Sequence, residues 1–181
     1  MTRTETAEAT DGTTAPEAPG EVVIVRDTER ESLWFLGDLV EIIVDGSKTG
    51  GRLTIAMHHA RPSSQPPLHE HDAEDEIFFI LEGEITYWAQ GITATLGAGD
   101  FILLPKDVPH SFQVSPDRAA RWLVILAPSG FEDFLREASD PAEHRGLPED
   151  FAMTPALESR LMTAAATAGI TILGPPGTRP S

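Results

Sequence analysis

Short apolar runs fill the chain from Glu21 to about Pro128, and most of them alternate with polar residues or end at turn residues. Alternation with period two over about four to eight residues is typical of a β-strand, whereas an amphipathic helix repeats its apolar positions every three to four residues. The pattern predicts strands at Val22–Val25, Leu33–Leu36, Leu39–Val44, Leu53–His58, Ile77–Leu81, Ile85–Ala89, Ile92–Leu96, Phe101–Leu104, Ser111–Val114 and Trp122–Leu126. About ten short strands at this spacing predict an all-β sandwich or barrel.

Turn residues separate these runs. Glycine-containing pairs that favour turns stand between the strands, at Asp45-Gly46, Gly50-Gly51, Glu82-Gly83, Gln90-Gly91 and Gly97-Ala98-Gly99. Residues 1–20 are almost all Thr, Ala, Glu, Pro and Gly, and we expect a disordered tail there because such a segment buries too little apolar surface to offset its ordering entropy. The barrel is therefore expected over residues 21–128.

The pattern becomes helical after Ser129. Ser129 and Glu132 have the spacing of a capping box, which predicts a helix with Phe131, Phe134 and Leu135 on its apolar side. A second helix is predicted to begin at the cap Thr154, to end at Gly169 and to bury Leu157, Leu161, Met162 and Ala165. We expect residues 129–181 to form these helices and a tail that pack on the barrel or cover its mouth.

Charge and cysteine content narrow the function. The chain has 181 residues, 13 Lys+Arg against 29 Asp+Glu, a net charge of −16 and no cysteine. Because a nucleic-acid or anionic-membrane partner requires basic surface, we expect neither. Any metal must be held by His, Asp or Glu. The sequence shows no apolar stretch of membrane-spanning length and no secretory signal pattern, so a cytoplasmic protein is expected.

Three histidines and a glutamate form the candidate reactive site. His69 and His71 are separated by one residue, so on an extended segment both side chains point to the same face. Glu76 begins the next apolar run, and His110 follows the strand Phe101–Leu104 through a turn that can bring it towards the other two imidazoles. Three His and one Glu suit a divalent transition metal, and the set accepts iron, manganese, cobalt, nickel, copper or zinc.

These residues resemble the two motifs of the cupin family. Pro67–Gly83 is similar to the first motif, with two His one residue apart followed by Glu and Gly, and Gly99–His110 is similar to the second, with Gly, Pro and His. The resemblance implies a jelly-roll barrel that holds the metal through His69, His71, Glu76 and His110. Three positions depart from the motifs and leave turn geometry open: Ser63 and Asp107 in place of Gly, and Val114 in place of Asn.

Within cupins, the chain is most similar to bacterial single-domain proteins of the quercetin 2,3-dioxygenase type. The stretches that carry this similarity are PPLHEHDAEDEIFFILEGEITYWAQG, GDFILLPKDVPHSFQV, APSGFEDFLREA and the segment Ile170–Pro176. The resemblance implies a metal-dependent dioxygenase that cleaves a flavonol or related enolizable aromatic with O₂ and releases carbon monoxide. The alternative is a non-oxidative cupin, either an isomerase or cyclase of a secondary metabolite or a small-molecule binding protein.

Several roles stay open at this point. Glu76 is either only a ligand or also the base that accepts the substrate's proton. Four apolar residues are candidates for an aromatic substrate's pocket as well as for plain core: Phe78, Ile80, Trp88 and Phe112. His58 and His59 are interpreted as structural or rim residues and His144 as surface, whereas a solvated acidic loop is the preferred interpretation of Glu70, Asp72, Glu74 and Asp75.

The resemblance also implies a homodimer. Single-domain cupins pair through sheet edges, which protects edge strands from other partners. Val22–Val25 is the candidate strand for exchange with a second copy.

Overall fold

A computed structural model describes residues 21–180, so the tail expected over residues 1–20 lies outside the described residues. The described chain consists mainly of strands: β1 Glu31–Phe35, β2 Asp38–Val44, β3 Thr54–Ala60, β4 Leu68–His71, β5 Asp75–Glu82, β6 Glu84–Ala89, β7 Ile92–Gly97, β8 Phe101–Leu104, β9 His110–Val114, β10 Ala120–Ala127, β11 Asp140–Pro141 and β12 Ile170–Gly174. The helices are α1 Gly46–Thr49, α2 Phe131–Ala138 and α3 Pro155–Thr167, with a 3₁₀ turn at Asp27–Glu29. None of these helices is long and apolar enough to cross a membrane.

The strands form two antiparallel sheets that face each other as a jelly-roll barrel. One sheet has the order β11-β1-β2-β3-β10-β5-β8, and the other has the order β12-β4-β9-β6-β7. Side chains from both sheets meet between them, and the largest that are fully buried include Trp122, Tyr87, Ile80, Ile85 and Leu126. The all-β barrel predicted from the sequence is therefore confirmed.

Alternation along each strand decides which side chains enter the barrel. In β5, Glu76, Phe78 and Ile80 are buried, whereas the intervening Phe79 is 38% exposed. The β6–β7 hairpin closes through Gln90 and Gly91, both at positive φ, as a tight two-residue hairpin turn requires.

Gly83 ends β5 where only glycine fits. Its φ is +81°, and a Cβ atom there would lie 2.4 Å from the carbonyl oxygen of Ala119. The absence of a side chain lets β5 turn into β6 against the start of β10. The turn predicted at Glu82-Gly83 is thus present and has a steric cause.

Some sequence expectations about these elements are wrong or incomplete. Val22–Val25 forms no strand in the single chain, with Val22 89% and Ile24 75% exposed, because no neighbouring strand pairs with it. Met162 in α3 is 46% exposed, and the buried side of that helix is formed by Leu161, Ala164 and Ala165 instead. The strands β4, β11 and β12 were not predicted, because a short strand owes its formation to its partner rather than to its own pattern.

The two long helices differ in how they begin. Thr154 caps α3 as predicted, since its side chain accepts a hydrogen bond from the backbone N–H of Leu157 at 3.2 Å. The capping box predicted for α2 is wrong: the N-cap is Gly130, and Ser129 makes no capping bond.

Glu132 attaches α2 to the barrel. Its carboxylate accepts hydrogen bonds from the backbone N–H of Gly46 at 2.7 Å, from that of Gly130 at 2.8 Å and from the hydroxyl of Thr54. The side chain lies in the interior, only 6% of the residue being exposed. Glu132 therefore joins the helix to β3 and to the start of α1 instead of closing a capping box.

Candidate metal centre and cavity

Three strands bring the four predicted ligands together. β4 carries His69 and His71, β5 carries Glu76 near its beginning, and β9 begins at His110. His69 is paired directly with His110 across the β4–β9 ladder. The edge strand β12 supports β4 from its other side, with Ile170 opposite His71.

One candidate ligand atom from each residue of the set His69, His71, Glu76 and His110 lies within 4.8 Å of the others. Nε2 of His110 is 3.1 Å from Oε2 of Glu76, and Nε2 of His71 is 3.6 Å from the same oxygen. His71, Glu76 and His110 are buried, and His69 is half-buried. The cluster thus lies at the inner wall of the barrel.

Backbone carbonyls fix the orientation of two imidazoles. Nδ1 of His69 is 2.9 Å from the carbonyl oxygen of Pro67, and Nδ1 of His110 is 2.8 Å from that of Val108. A carbonyl only accepts hydrogen bonds, so Nδ1 carries the proton and donates it in both rings. Nε2 is left with its lone pair, as in a typical metal-ligating histidine.

A buried carboxylate that the sequence interpretation missed lies beside His71. Glu74 is only 4% exposed, and its Oε2 lies 3.7 Å from Nδ1 of His71, so the solvated-loop interpretation is wrong at this residue. Asp72 and Asp75 are exposed and Glu70 is half-buried. The spacing of three residues between His71 and Glu74 was the signal in the sequence for this contact. It does not predict the contact by itself, because side chains in a loop follow no fixed periodicity.

Burial and mutual charge set the protonation of the cluster. Burial lowers the pKa of His69 to about 3, so this ring is neutral. Burial raises the pKa of Glu76, but the hydrogen bond with His110 and the neighbouring imidazole charges outweigh it and bring the pKa to about 2. Burial also opposes a charge on His71, yet Glu74 and Glu76 raise its pKa above the ordinary value.

The donor set fits a divalent transition metal. Both ring nitrogens of His71 are buried and have no hydrogen-bond partner among residues 21–180, which is costly for a polar group unless a further ligand satisfies it. Neutral imidazole nitrogens and a carboxylate are the donors that such ions take in proteins. His69, His71, Glu76 and His110 therefore form a cluster that could hold one metal ion.

The cluster borders a largely apolar cavity. Its polar lining side chains, within the described residues, are His58, His69 and Glu76, and the others are Phe35, Leu36, Val40, Pro66, Pro67, Phe78, Phe112, Val124, Phe131, Phe134, Leu135, Leu161, Ile170 and Ile172. Six of these belong to α2, α3 and β12, which together we name the C-terminal cover. The cavity has a volume of about 70 Å³.

The structure separates the four residues predicted for a substrate pocket. Phe78 and Phe112 line the cavity and contact each other with ring centroids 5.6 Å apart. Ile80 is fully buried in the core and does not line the cavity. Trp88 is on the outer face of β6, where the guanidinium of Arg179 lies 3.0 Å from its ring centroid, and like Ile80 it does not line this cavity.

The remaining histidines occupy three different environments. His58 points into the barrel and lines the cavity, whereas its neighbour His59 is on the outer face and pairs with Glu41 at 3.1 Å. His144 is exposed and packs edge-on against Trp34.

The substitutions of motif glycines leave the turn geometry intact. Ser63 has a φ of 64° and Asp107 a φ of 61°, the left-handed conformation that glycine adopts most readily. Val114 is fully buried at the end of β9. None of these three residues is a member of the cluster.

Residues 56–126 match the family described as "Cupin domain". The chain contains a cupin domain. It is 29% identical over 125 residues to quercetin 2,3-dioxygenase of Bacillus subtilis, which covers 68% of this chain and 37% of the relative. It is also 29% identical over 104 residues to quercetin 2,3-dioxygenase of Aspergillus japonicus, which covers 54% of this chain and 29% of the relative. The chain thus spans about a third of the length of these curated relatives.

A solved structure supports the same fold. An RmlC-like cupin from Shewanella frigidimarina superposes with a TM-score of 0.50 at 16% identity, covering 60% of this chain and 93% of that protein. At this identity the likeness concerns the fold of the cupin barrel alone.

Proposed function

We propose that this cupin is a metal-dependent dioxygenase that cleaves a flavonol, or a related enolizable aromatic, with O₂. The observation that carries the proposal is the position of Glu76, a buried carboxylate at the wall of a mostly apolar cavity and next to three imidazoles. An apolar cavity with few convergent polar groups suits a planar aromatic substrate. The similarity to two quercetin 2,3-dioxygenases supports the same class of reaction.

Residues of the chain supply binding and proton transfer. His69, His71, Glu76 and His110 would hold the metal, which supplies a Lewis acid and a template for substrate and O₂. Phe78 and Phe112 contact the aromatic rings and exclude water. Glu76 accepts the proton of the substrate's enol hydroxyl at one of its carboxylate oxygens.

The proton affinity of Glu76 depends on its neighbours. The charges of the surrounding imidazoles and the hydrogen bond with His110 hold its pKa near 2, whereas burial alone raises it. A bound divalent ion would also favour the charged carboxylate, so Glu76 would act as a base through an oxygen that is not bound to the metal, where burial raises its proton affinity. The same residue thus serves as ligand and as base.

Substrate admission requires the C-terminal cover to move. A volume of about 70 Å³ is well below the roughly 300 Å³ at which small-molecule pockets begin. Phe131, Phe134 and Leu161 close the cavity from the helices, so their outward displacement is the change that makes room for a flavonol.

The cavity volume also favours a second candidate. A non-oxidative cupin that isomerises or binds a smaller molecule would use the same cluster to polarise a carbonyl, without consuming O₂. The two candidates therefore differ in a measurable reactant.

The test is O₂ uptake by protein loaded separately with each first-row divalent metal and supplied with quercetin, with flavonol absorbance followed in parallel. We expect metal-dependent uptake, loss of metal in His69→Ala and His110→Ala, and retained metal without turnover in Glu76→Gln. Glu70→Gln, which changes a carboxylate between the two β4 ligands, is the matched control. Bound metal with no O₂ uptake rejects the flavonol reaction and favours the non-oxidative candidate, and normal turnover by Glu76→Gln rejects the base.

We also propose that the protein is a homodimer. Phe101 and Leu103 on the edge strand β8 are 67% and 49% exposed, and Phe101 is paired with the exposed Phe79 of β5. Apolar residues on an open sheet edge favour association with a second copy. Light scattering is expected to give twice the mass of one chain, and a monomeric mass contradicts the dimer.

A further inference from the structure

His58 is the polar group of the cavity that the proposed metal centre does not use. It lies on β3 opposite Trp122 of β10, and both side chains point into the barrel. His59, the next residue, points outwards and does not line the cavity. The alternation of β3 thus directs one of two adjacent histidines towards the cavity.

A carboxylate and an aromatic ring hold His58 in one orientation. Nε2 of His58 is 3.2 Å from Oδ2 of Asp38, and Asp38 is only 3% exposed. Asp38 is itself fixed by hydrogen bonds from the backbone N–H of Arg61 and the hydroxyl of Ser64. The imidazole stacks on Trp122 with ring centroids 4.3 Å apart and an interplanar angle of 28°.

This arrangement decides which hydrogen-bonding group His58 offers. The carboxylate of Asp38 accepts, so Nε2 of a neutral His58 carries the proton and Nδ1 keeps a lone pair. Nδ1 has no hydrogen-bond partner among residues 21–180, and it is not sealed from surrounding space. His58 therefore has an unpaired acceptor in a ring that lines the cavity and is aligned by Asp38.

His58 and Glu76 are at different ends of the cavity. His58 on β3 pairs with Trp122 on β10, and Trp122 pairs with Ile80 on β5. Because Ile80 and Glu76 are four residues apart on β5, His58 is separated from Glu76 by two strands and four residues. At about 3.3 Å per residue and 4.8 Å per strand, the separation is about 13 Å along the strands and about 10 Å across them. Phe78 and Val124 line the cavity between these ends and are apolar.

We propose that His58, oriented by Asp38, accepts a hydrogen bond from a hydroxyl on the part of the substrate remote from Glu76. This group selects polyhydroxylated aromatics over analogues in which the enol hydroxyl is the sole one. The inference rests on the proposed function, because it assumes that the enol end of the substrate is at Glu76.

The experiment compares the binding of two flavonols in the absence of O₂. Quercetin and 3-hydroxyflavone, which lacks all hydroxyls except the enol group, are titrated calorimetrically into the metal-loaded protein. The variants are His58→Phe, which keeps a ring against Trp122 but removes the acceptor, and Asp38→Asn, which can donate to Nε2 and so convert Nδ1 into a donor. The matched control is His59→Gln, since His59 is also paired with a buried carboxylate but faces outwards.

We expect wild-type protein to bind quercetin more tightly than 3-hydroxyflavone, and both variants to reduce that preference about three- to tenfold, the value of one hydrogen bond. His59→Gln should keep the wild-type ratio. An unchanged ratio in folded Asp38→Asn and His58→Phe overturns the inference, and folding of each is checked by thermal unfolding. If His58→Phe does not fold, Asp38→Asn decides.

Together with the O₂-uptake assay of the proposed function, these titrations separate the two proposals. If the ratio of the affinities for quercetin and 3-hydroxyflavone depends on His58 but no O₂ is consumed, the role of His58 is supported and the dioxygenase is rejected. O₂ uptake with a ratio independent of His58 supports the dioxygenase and overturns the role of His58. Failure of wild-type protein to bind either flavonol overturns both.

Discussion

Replacing Glu132 by Gln tests whether one buried carboxylate holds the C-terminal cover on the barrel. Oε1 accepts from the N–H of Gly46, and Oε2 accepts from the N–H of Gly130 and the hydroxyl of Thr54. A glutamine has one acceptor oxygen, so in either orientation its amide group faces a backbone N–H that then has no acceptor. Because hydrogen bonds to charged groups contribute about 1.5–3 kcal/mol and an unsatisfied buried donor costs about 1–3 kcal/mol, we expect the free energy of unfolding to fall by about 2–4 kcal/mol.

The effect of Glu132 should depend on pH. Burial raises the pKa of Glu132, but hydrogen bonds from Thr54, Gly46 and Gly130 outweigh it and lower the pKa below the ordinary 4.5. A lowered folded-state pKa adds stability that is fully present above 4.5 and is lost as pH falls through the folded-state value. The difference in unfolding free energy between wild type and Glu132→Gln should therefore narrow below pH 4.5.

The assay is urea unfolding followed by tryptophan fluorescence at pH values from 7 to 3. Glu137→Gln makes the same chemical change on an exposed position of the same helix and should alter stability by less than about 0.5 kcal/mol. An equal loss in both variants, or a loss for Glu132→Gln that does not change with pH, refutes the assigned role of Glu132.

Three further outcomes are expected. Glu74→Gln should weaken metal binding about 10- to 100-fold in a chelator competition, because Glu74 orients His71, whereas equal binding by this variant and Glu70→Gln contradicts that role. Because the pKa of His71 is raised, metal binding should release a proton, and metal affinity should increase as pH rises above 6.5. Calorimetry in two buffers measures the released proton, and a metal affinity that does not depend on pH contradicts the raised pKa. Leu161→Ala should lower the unfolding free energy by about 2–5 kcal/mol, and it should also lower the KM for quercetin. An unchanged KM argues against entry of the substrate beneath the C-terminal cover.

The barrel and the grouping of three His and one Glu could be predicted because their signals are local. Strands such as β5 and β10 carry their alternation within a few residues, and the turns between them use glycine. His69 and His71 share a face through strand periodicity alone, and the motif spacing indicates the partners of the pair. The strand register places His110 opposite His69, which defines the distances between the candidate ligands. Their identity was already given by the sequence motifs.

The remaining features depend on contacts between distant parts of the chain. Asp38 is 20 residues from His58, and Glu132 is 86 residues from Gly46, so no sequence window contains both partners. Trp88 is as aromatic as any pocket residue, and only the direction of β6 relative to the core places it outside. Sequence patterns identify which residue types are available, whereas tertiary packing decides which of them meet.

The division between barrel and C-terminal cover bears on what similarity can establish about this protein. The family match at residues 56–126 includes all four residues of the candidate metal cluster, but it ends before Phe131, Leu161 and Ile172, which line the cavity. Reaction class depends on the cluster, whereas substrate choice depends on the cavity walls, which loops and appended elements change most readily. His58 lies within the matched region but is supported by Asp38, which precedes it. Substrate specificity must therefore be measured on this chain, with the C-terminal cover and the Asp38–His58 pair as the parts to vary.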